Sequence, residues 1–90
     1  MLENLEQLIE TIRKKKISSL DDSYTNKLLI DKNLSLAKVK EEVAELIESV
    51  EKNSNKIHEA TDVIYHLMVY LEANNIKIED VMSELKKRRK

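Results

Sequence analysis

Residues 38–73 read KVKEEVAELIESVEKNSNKIHEATDVIYHLMVYLEA, and the placement of acid within this stretch decides the fold. Val39, Val43, Leu46, Ile47 and Val50 recur at helical spacing, so the first half is an amphipathic helix, with Ser35 available as its cap. Asn53, Ser54 and Asn55 then supply a turn, asparagine being the residue after glycine that best tolerates the left-handed region. The second half is a further helix over about Ile57 to Ala73, stopped at Asn74–Asn75. A connection this short favours antiparallel packing of the two.

On a wheel of about 100° per residue, Glu41 and Glu45 lie about 40° apart, with Glu42 about 60° beyond Glu45 toward the apolar stripe. In the second helix Ala60, Val63, Ile64, Leu67 and Leu71 form one apolar stripe. Glu59, Asp62 and His66 fall on nearly the opposite side, in a line that continues into Val69 and Ala73. An acidic line that turns apolar reads as a second buried surface with charge set into it, and buried charge needs a partner or a metal. Taken alone, Glu-Glu-x-x-Glu beside Lys38 and Lys40 is more simply a solvated, self-paired surface. The acids of the apolar helix reverse that balance. Antiparallel packing brings Glu41, Glu42 and Glu45 near Glu59 and Asp62, a set of oxygen ligands suited to Mg²⁺.

Outward from this pair every segment also reads helical, giving an all-α fold of about five helices. Leu5, Leu8, Ile9 and Ile12 mark the first helix, closed by the cationic run Arg13–Lys16, which complements the helix dipole. A polar connection over 18–23 precedes a short helix over Tyr24–Lys32 carrying Leu28 and Leu29. Glu79 and Asp80 open the last helix and Lys86–Lys90 close it.

Ninety residues bound the chain to one small domain, and a chain this short buries only about 60–65% of its unfolded surface. The two apolar surfaces of the fourth helix exceed what one protomer can cover, so the bundle is expected to be completed as a homodimer, with Val69 or Ala73 in the interface. The absence of glycine excludes a Walker loop and a Rossmann fingerprint, both of which need close backbone approach to phosphate. The absence of cysteine excludes disulfides, thiolate zinc sites and a cysteine nucleophile, and fits a cytoplasmic location. The acidic start Met-Leu-Glu-Asn has no secretory n-region, and the apolar run Val63–Leu71 is far short of a membrane span. A net charge of −1 argues against nucleic acid as a partner.

Three strings narrow the reading. Ser23-Tyr24-Thr25-x-x-Leu28-Leu29, Lys38-Val39-x-Glu41-Glu42-x-x-Glu45 and Glu59-Ala60-x-Asp62-x-x-Tyr65-His66-Leu67 together resemble phosphoribosyl-ATP pyrophosphohydrolase, an enzyme of histidine biosynthesis. The ending Ile78-Glu79-Asp80-Val81 with Glu84-Leu85 is similar too, so the resemblance covers nearly all of a single domain over 1–90. The paired acidic motif indicates the wider MazG-like all-α nucleoside triphosphate pyrophosphohydrolases; the Ser-Tyr-Thr and Tyr-His elements point to the phosphoribosyl-ATP branch. Two positions depart from the family pattern: Lys40 stands where glycine is usual and Thr61 where alanine is usual.

The resemblance implies hydrolysis of phosphoribosyl-ATP to phosphoribosyl-AMP and pyrophosphate, with Glu41, Glu42, Glu45, Glu59 and Asp62 binding Mg²⁺ and positioning water. Lys27 and Lys38, next to matched positions, are the first candidates for the triphosphate, with Arg88 and Arg89 available from the last helix. Ser23 and Thr25 can hydrogen-bond phosphate or ribose, or simply cap a helix. His66 reads as a hydrogen-bonding neighbour of the site rather than a ligand, since Mg²⁺ prefers oxygen, and His58 reads as surface. Two rival functions remain: a housekeeping pyrophosphohydrolase for other nucleoside triphosphates, which shares the acids but need not share Ser23-Tyr24-Thr25, and a non-catalytic helical oligomerisation module, against which the three breaks in the helical pattern count.

Overall fold

The computed structural model describes residues 1–18 and 23–89. Five helices follow in order: α1 (Glu3–Ile17), α2 (Tyr24–Ile30), α3 (Lys32–Lys52), α4 (Lys56–Ala73) and α5 (Ile78–Arg88), with no strand among the described residues. Positions 19–22 of the expected connection, and Lys90 of the basic end, lie outside the described residues.

Helix ends follow local chemistry. Ser23 caps α2, its Oγ accepting from the Asn26 amide at 3.2 Å. The boundary between α2 and α3 differs from the sequence expectation. The single extended residue Asp31 separates the helices, and its Oδ1 accepts from the Leu34 amide at 3.0 Å, so Asp31 is the cap of α3. Ser35 lies one turn further in and is fully buried. An aspartate able to cap four residues earlier adds a turn to α3 and leaves Ser35 nothing to terminate. At the other end Asn53 takes φ 53°, ψ 48°, and the Ser54 amide donates to the Ser49 carbonyl at 3.0 Å. Asn55 and Asn75 also have positive φ, so asparagine serves at each left-handed position among the described residues of this glycine-free chain.

The turn sends α4 back along α3, and these two make the most extensive helix pair; α1 and α2 also pack on α4 and on each other, with α2 touching α3 as well. Ile12, Leu28, Leu29, Val69 and Ala73 form the buried core, with Leu8, Tyr65 and Met68 against it. The side of α4 that faces inward is therefore the line Glu59–Asp62–His66–Val69–Ala73. Val69 and Ala73 lie inside the protomer, not at an interface, which corrects the sequence expectation. The apolar stripe is left partly outside instead: Ile64 is 46% exposed and Leu67 36%, while Ile47 and Val50 of α3 are 55% and 57% exposed.

Charge locks the ends of the bundle. Arg13 donates to both oxygens of Glu79 at 2.8 and 2.6 Å, and its Nε donates to Glu72 at 3.3 Å. Lys16 Nζ donates to the Glu72 carbonyl at 2.6 Å and to Asn75 Oδ1 at 2.8 Å. The cationic end of α1 thus reaches across to the α4–α5 turn as well as complementing its own dipole. The Arg13 guanidinium draws the Glu79 carboxyl down to about 2. Ile76 and Ile78 complete the junction, lining a crevice with Ile9, Ile12, Met68 and Leu71.

Leu28 is the point where α2 enters this core. Replacing it with alanine is expected to cost roughly 2–5 kcal/mol in urea unfolding, as buried leucine truncations do. A loss under about 1 kcal/mol would show that α2 is not anchored here.

Candidate metal centre

The two acidic groups expected from the sequence meet between α3 and α4. Glu41, Glu42 and Glu45 each offer a carboxylate oxygen, all within 4.8 Å of one another. On α4, His58, Glu59 and Asp62 do the same within 4.8 Å. Each group comes from one or two helical turns, because residues three and four apart share a face. Their mutual influence shows that the groups confront each other. Burial, reinforced by Glu45, Asp62 and Glu41, pushes the Glu42 carboxyl up to about 7. Glu59 is raised as well, first by burial and then by Glu45 across the helix pair. Glu45 is thus the acid shared between the two groups.

Two carboxylate oxygens are orphans. Glu42 Oε2 and Glu59 Oε2 are both buried and have no hydrogen-bond partner within the described residues. Leaving ionised carboxylates unpaired in a poorly solvated place is costly, and the alternatives are protonation or a cation. A hard divalent ion suits the set: every donor facing the cleft from α3 is a carboxylate, and Mg²⁺ takes oxygen ligands. The residues fit that group.

The neighbours of the cleft are aromatic and cationic. His66 is 6% exposed; burial lowers its pKa and leaves it neutral at pH 7. The rings of Tyr24 and Tyr65 meet it edge-on at centroid distances of 5.9 and 4.9 Å. Lys38 lies at the rim, its Nζ donating to Glu41 at 3.3 Å, a contact that raises the lysine pKa. Tyr24 also feels Lys38, Glu41 and Glu42, which puts its half-exposed ring beside the acids.

The other candidates are placed differently. Ser23 is occupied as the α2 cap. Thr25 is buried, and its hydroxyl shares a short hydrogen bond with that of Tyr65, tying α2 to α4. Lys27 is exposed on α2, and Arg88 donates to Glu84 on its own helix at 3.1 Å. No described contact carries Lys27, Arg88 or Arg89 to the carboxylates. Lys40 and Thr61, the two departures from the family pattern, are both exposed, and the Thr61 hydroxyl is turned back onto the Ile57 carbonyl at 2.8 Å. His58, read from the sequence as surface, is indeed exposed, yet its Nε2 lies 3.3 Å from Asp62 Oδ2. The signal for that contact was the four-residue spacing of His58 and Asp62.

A family model described as "Phosphoribosyl-ATP pyrophosphohydrolase" matches residues 5–89. The chain is 44% identical over 92 residues to the phosphoribosyl-ATP pyrophosphatase of Clostridium novyi, covering 96% of this chain and 81% of that protein. It is 45% identical over 92 residues to the protein of the same name in Clostridium acetobutylicum, with the same coverage. It is 42% identical over 95 residues to the histidine biosynthesis bifunctional protein HisIE of Caldanaerobacter subterraneus subsp. tengcongensis, covering 99% of this chain and 45% of that relative. The chain therefore spans about four-fifths of the two pyrophosphatases and less than half of the bifunctional protein.

The raised Glu42 pKa makes stability fall as pH rises. Between its ordinary value of 4.5 and about 7 the folded state holds a proton that the unfolded state has lost, so this group's stabilisation is present at low pH and gone above about 7. In excess EDTA, the gain in melting temperature from Glu42→Gln over wild type is expected to grow between pH 5 and pH 7.5. A gain that shrinks over that range would mean that Glu42 is a stabilising ion-pair partner.

Proposed function

Since the chain belongs to the phosphoribosyl-ATP pyrophosphohydrolase family of hydrolases, we propose that it hydrolyses phosphoribosyl-ATP to phosphoribosyl-AMP and pyrophosphate in the cytoplasm, with Mg²⁺ held between α3 and α4. The observation that carries the metal reading is the pair of buried, unpartnered oxygens, Glu42 Oε2 and Glu59 Oε2, on helices that face each other. Glu41, Glu42, Glu45, Glu59 and Asp62 are the ligand set. When bound there, Mg²⁺ neutralises charge on the phosphates and makes water a stronger nucleophile.

The protein's own groups divide the remaining work. Water attacks the anhydride that joins the α- and β-phosphates, the P–O bond to pyrophosphate breaks, and the proton of the water passes to one of these five carboxylates, which serves as general base in place of a ligand. Lys38 stands at the rim where a triphosphate would approach, and its charge offsets phosphate charge beside Glu41. Lys27, Arg88 and Arg89 contribute longer-range positive charge. Ser23 and Thr25 hold α2 in place, Ser23 as its cap and Thr25 through Tyr65, and so keep Tyr24 beside the acids.

The working unit is a homodimer. Ile47, Val50, Ile57, Ile64 and Leu67 leave more apolar side chain outside than scattered surface residues would. A two-fold pair of α3–α4 hairpins is the simplest way to cover them.

Pyrophosphate release from phosphoribosyl-ATP should require Mg²⁺ and exceed release from ordinary nucleoside triphosphates. Asp62→Asn should lower kcat by at least roughly two orders of magnitude, the scale of a lost Lewis acid, while folding in EDTA is kept. Equal rates across a panel of triphosphates would point instead to a general housekeeping enzyme. Near-normal turnover by Asp62→Asn would remove the metal assignment.

For the assembly, wild-type protein at micromolar concentration should sediment as a dimer, and Ile64→Asp should shift it to a folded monomer. A stable wild-type monomer would end the dimer reading.

A further inference from the structure

The two oxygens of Glu42 have different surroundings. Oε1 lies 3.9 Å from Nε2 of His66, whereas Oε2 is buried without a partner. His66 is itself held tightly. It is 6% exposed and meets the rings of Tyr24 and Tyr65 edge-on, with interplanar angles of 87° and 79°. Tyr65 in turn is anchored by the bond between its hydroxyl and Thr25. A buried ring with two edge-to-face neighbours has little freedom to turn its nitrogens elsewhere.

The tautomer follows from the polar atoms around the ring. A neutral imidazole carries one N–H and one lone pair. Nδ1 is buried and has no partner. A proton on Nδ1 would strand a buried donor and turn the Nε2 lone pair toward a carboxylate oxygen. A proton on Nε2 aims the only donor at Glu42 and leaves Nδ1 as an unfilled acceptor, the cheaper of the two losses. The 3.9 Å separation is too long for a hydrogen bond as it stands. Closing it requires the Glu42 carboxylate to shift toward Nε2, and contacts of this kind commonly tighten when a ligand engages the site.

We propose that His66 is a positioning residue for Glu42: its Nε2–H holds Oε1 and so presents Oε2 as the oxygen offered to a divalent cation. This rests on the reading of the α3–α4 carboxylates as a cation site, and it gives the Thr25–Tyr65–His66 chain of contacts a purpose beyond packing. Ligand carboxylates depend on such outer hydrogen bonds for orientation, and losing one typically weakens metal binding about 10–100-fold.

The test is Mn²⁺ binding to the full chain without substrate, followed by the electron paramagnetic resonance signal of the free ion. Melting temperatures in EDTA are measured alongside. His66→Leu keeps bulk and removes both nitrogens. His66→Gln returns an amide N–H near the place of Nε2, and His66→Asn places one only as far as Nδ1. The expected result is a dissociation constant raised about 10–100-fold in the Leu and Asn variants and largely restored in Gln. Should the Leu variant fail to fold, the contrast between Asn and Gln decides. Wild-type affinity in the Asn variant, or Gln as weak as Asn, overturns the proposal while leaving the cation site standing. Affinities that merely follow the melting temperatures in EDTA also overturn it, in favour of packing. No Mn²⁺ binding by the wild type would remove the cation site and the role of His66 together.

Discussion

Repulsion between carboxylates on facing helices is the constraint around which this small bundle is organised. Glu42, Glu45, Glu59 and Asp62 share a cleft partly closed to solvent, where like charges interact far more strongly than in water. Metal-free, the cleft works against folding, and the rest of the chain has to offset it. The offset comes from the α1–α2–α4 core of Ile12, Leu28, Leu29, Val69 and Ala73, and from the α3–α4 packing that the asparagine turn enforces. On the proposed reading as a cation site, the cleft gives up stability for binding, the usual relation between stability and function.

The same helix carries both halves of that balance. Along one line of α4, Glu59 and Asp62 supply the acids, His66 the transition, and Val69 and Ala73 the anchoring apolar surface. The acids occupy the half of α4 next to the α3–α4 turn, while the core grips the half next to α5. Rigid support at one end and charge at the other place the carboxylates without spending core residues on them. The Arg13–Glu79 and Lys16–Glu72 contacts keep the supported end closed. They also neutralise Glu72, which stands unfavourably in the negative last turn of α4.

α2 links core and site in a different way. Leu28 and Leu29 enter the core from one side of this seven-residue helix, and Thr25 reaches Tyr65 on α4. Tyr24, at the first position, is thereby left half-exposed next to Lys38 and the α3 acids. The Ser-Tyr-Thr string thus combines a cap, an aromatic wall and a cross-helix tie in three consecutive residues.

Much of this is legible in the sequence. Periodicity identified five helices, the asparagines marked their left-handed ends, and the acids at positions 41, 42, 45, 59 and 62 fell into two groups separated by a short turn, because helical spacing and turn chemistry are local properties of sequence. What local rules left open was decided by packing. Asp31 rather than Ser35 begins α3, since either residue is a competent cap and the helix extends back to the earlier one, which leaves Ser35 buried inside it. Two surfaces of α4 looked equally suited to burial, and the tertiary structure turned the one holding Val69 and Ala73 inward, leaving Ile64 and Leu67 partly outside. The reach of Arg13 to Glu79, 66 residues away, has no local signature at all. Nor does the unequal treatment of the two Glu42 oxygens, which depends on how three helices place His66, Tyr24 and Tyr65 around one carboxylate.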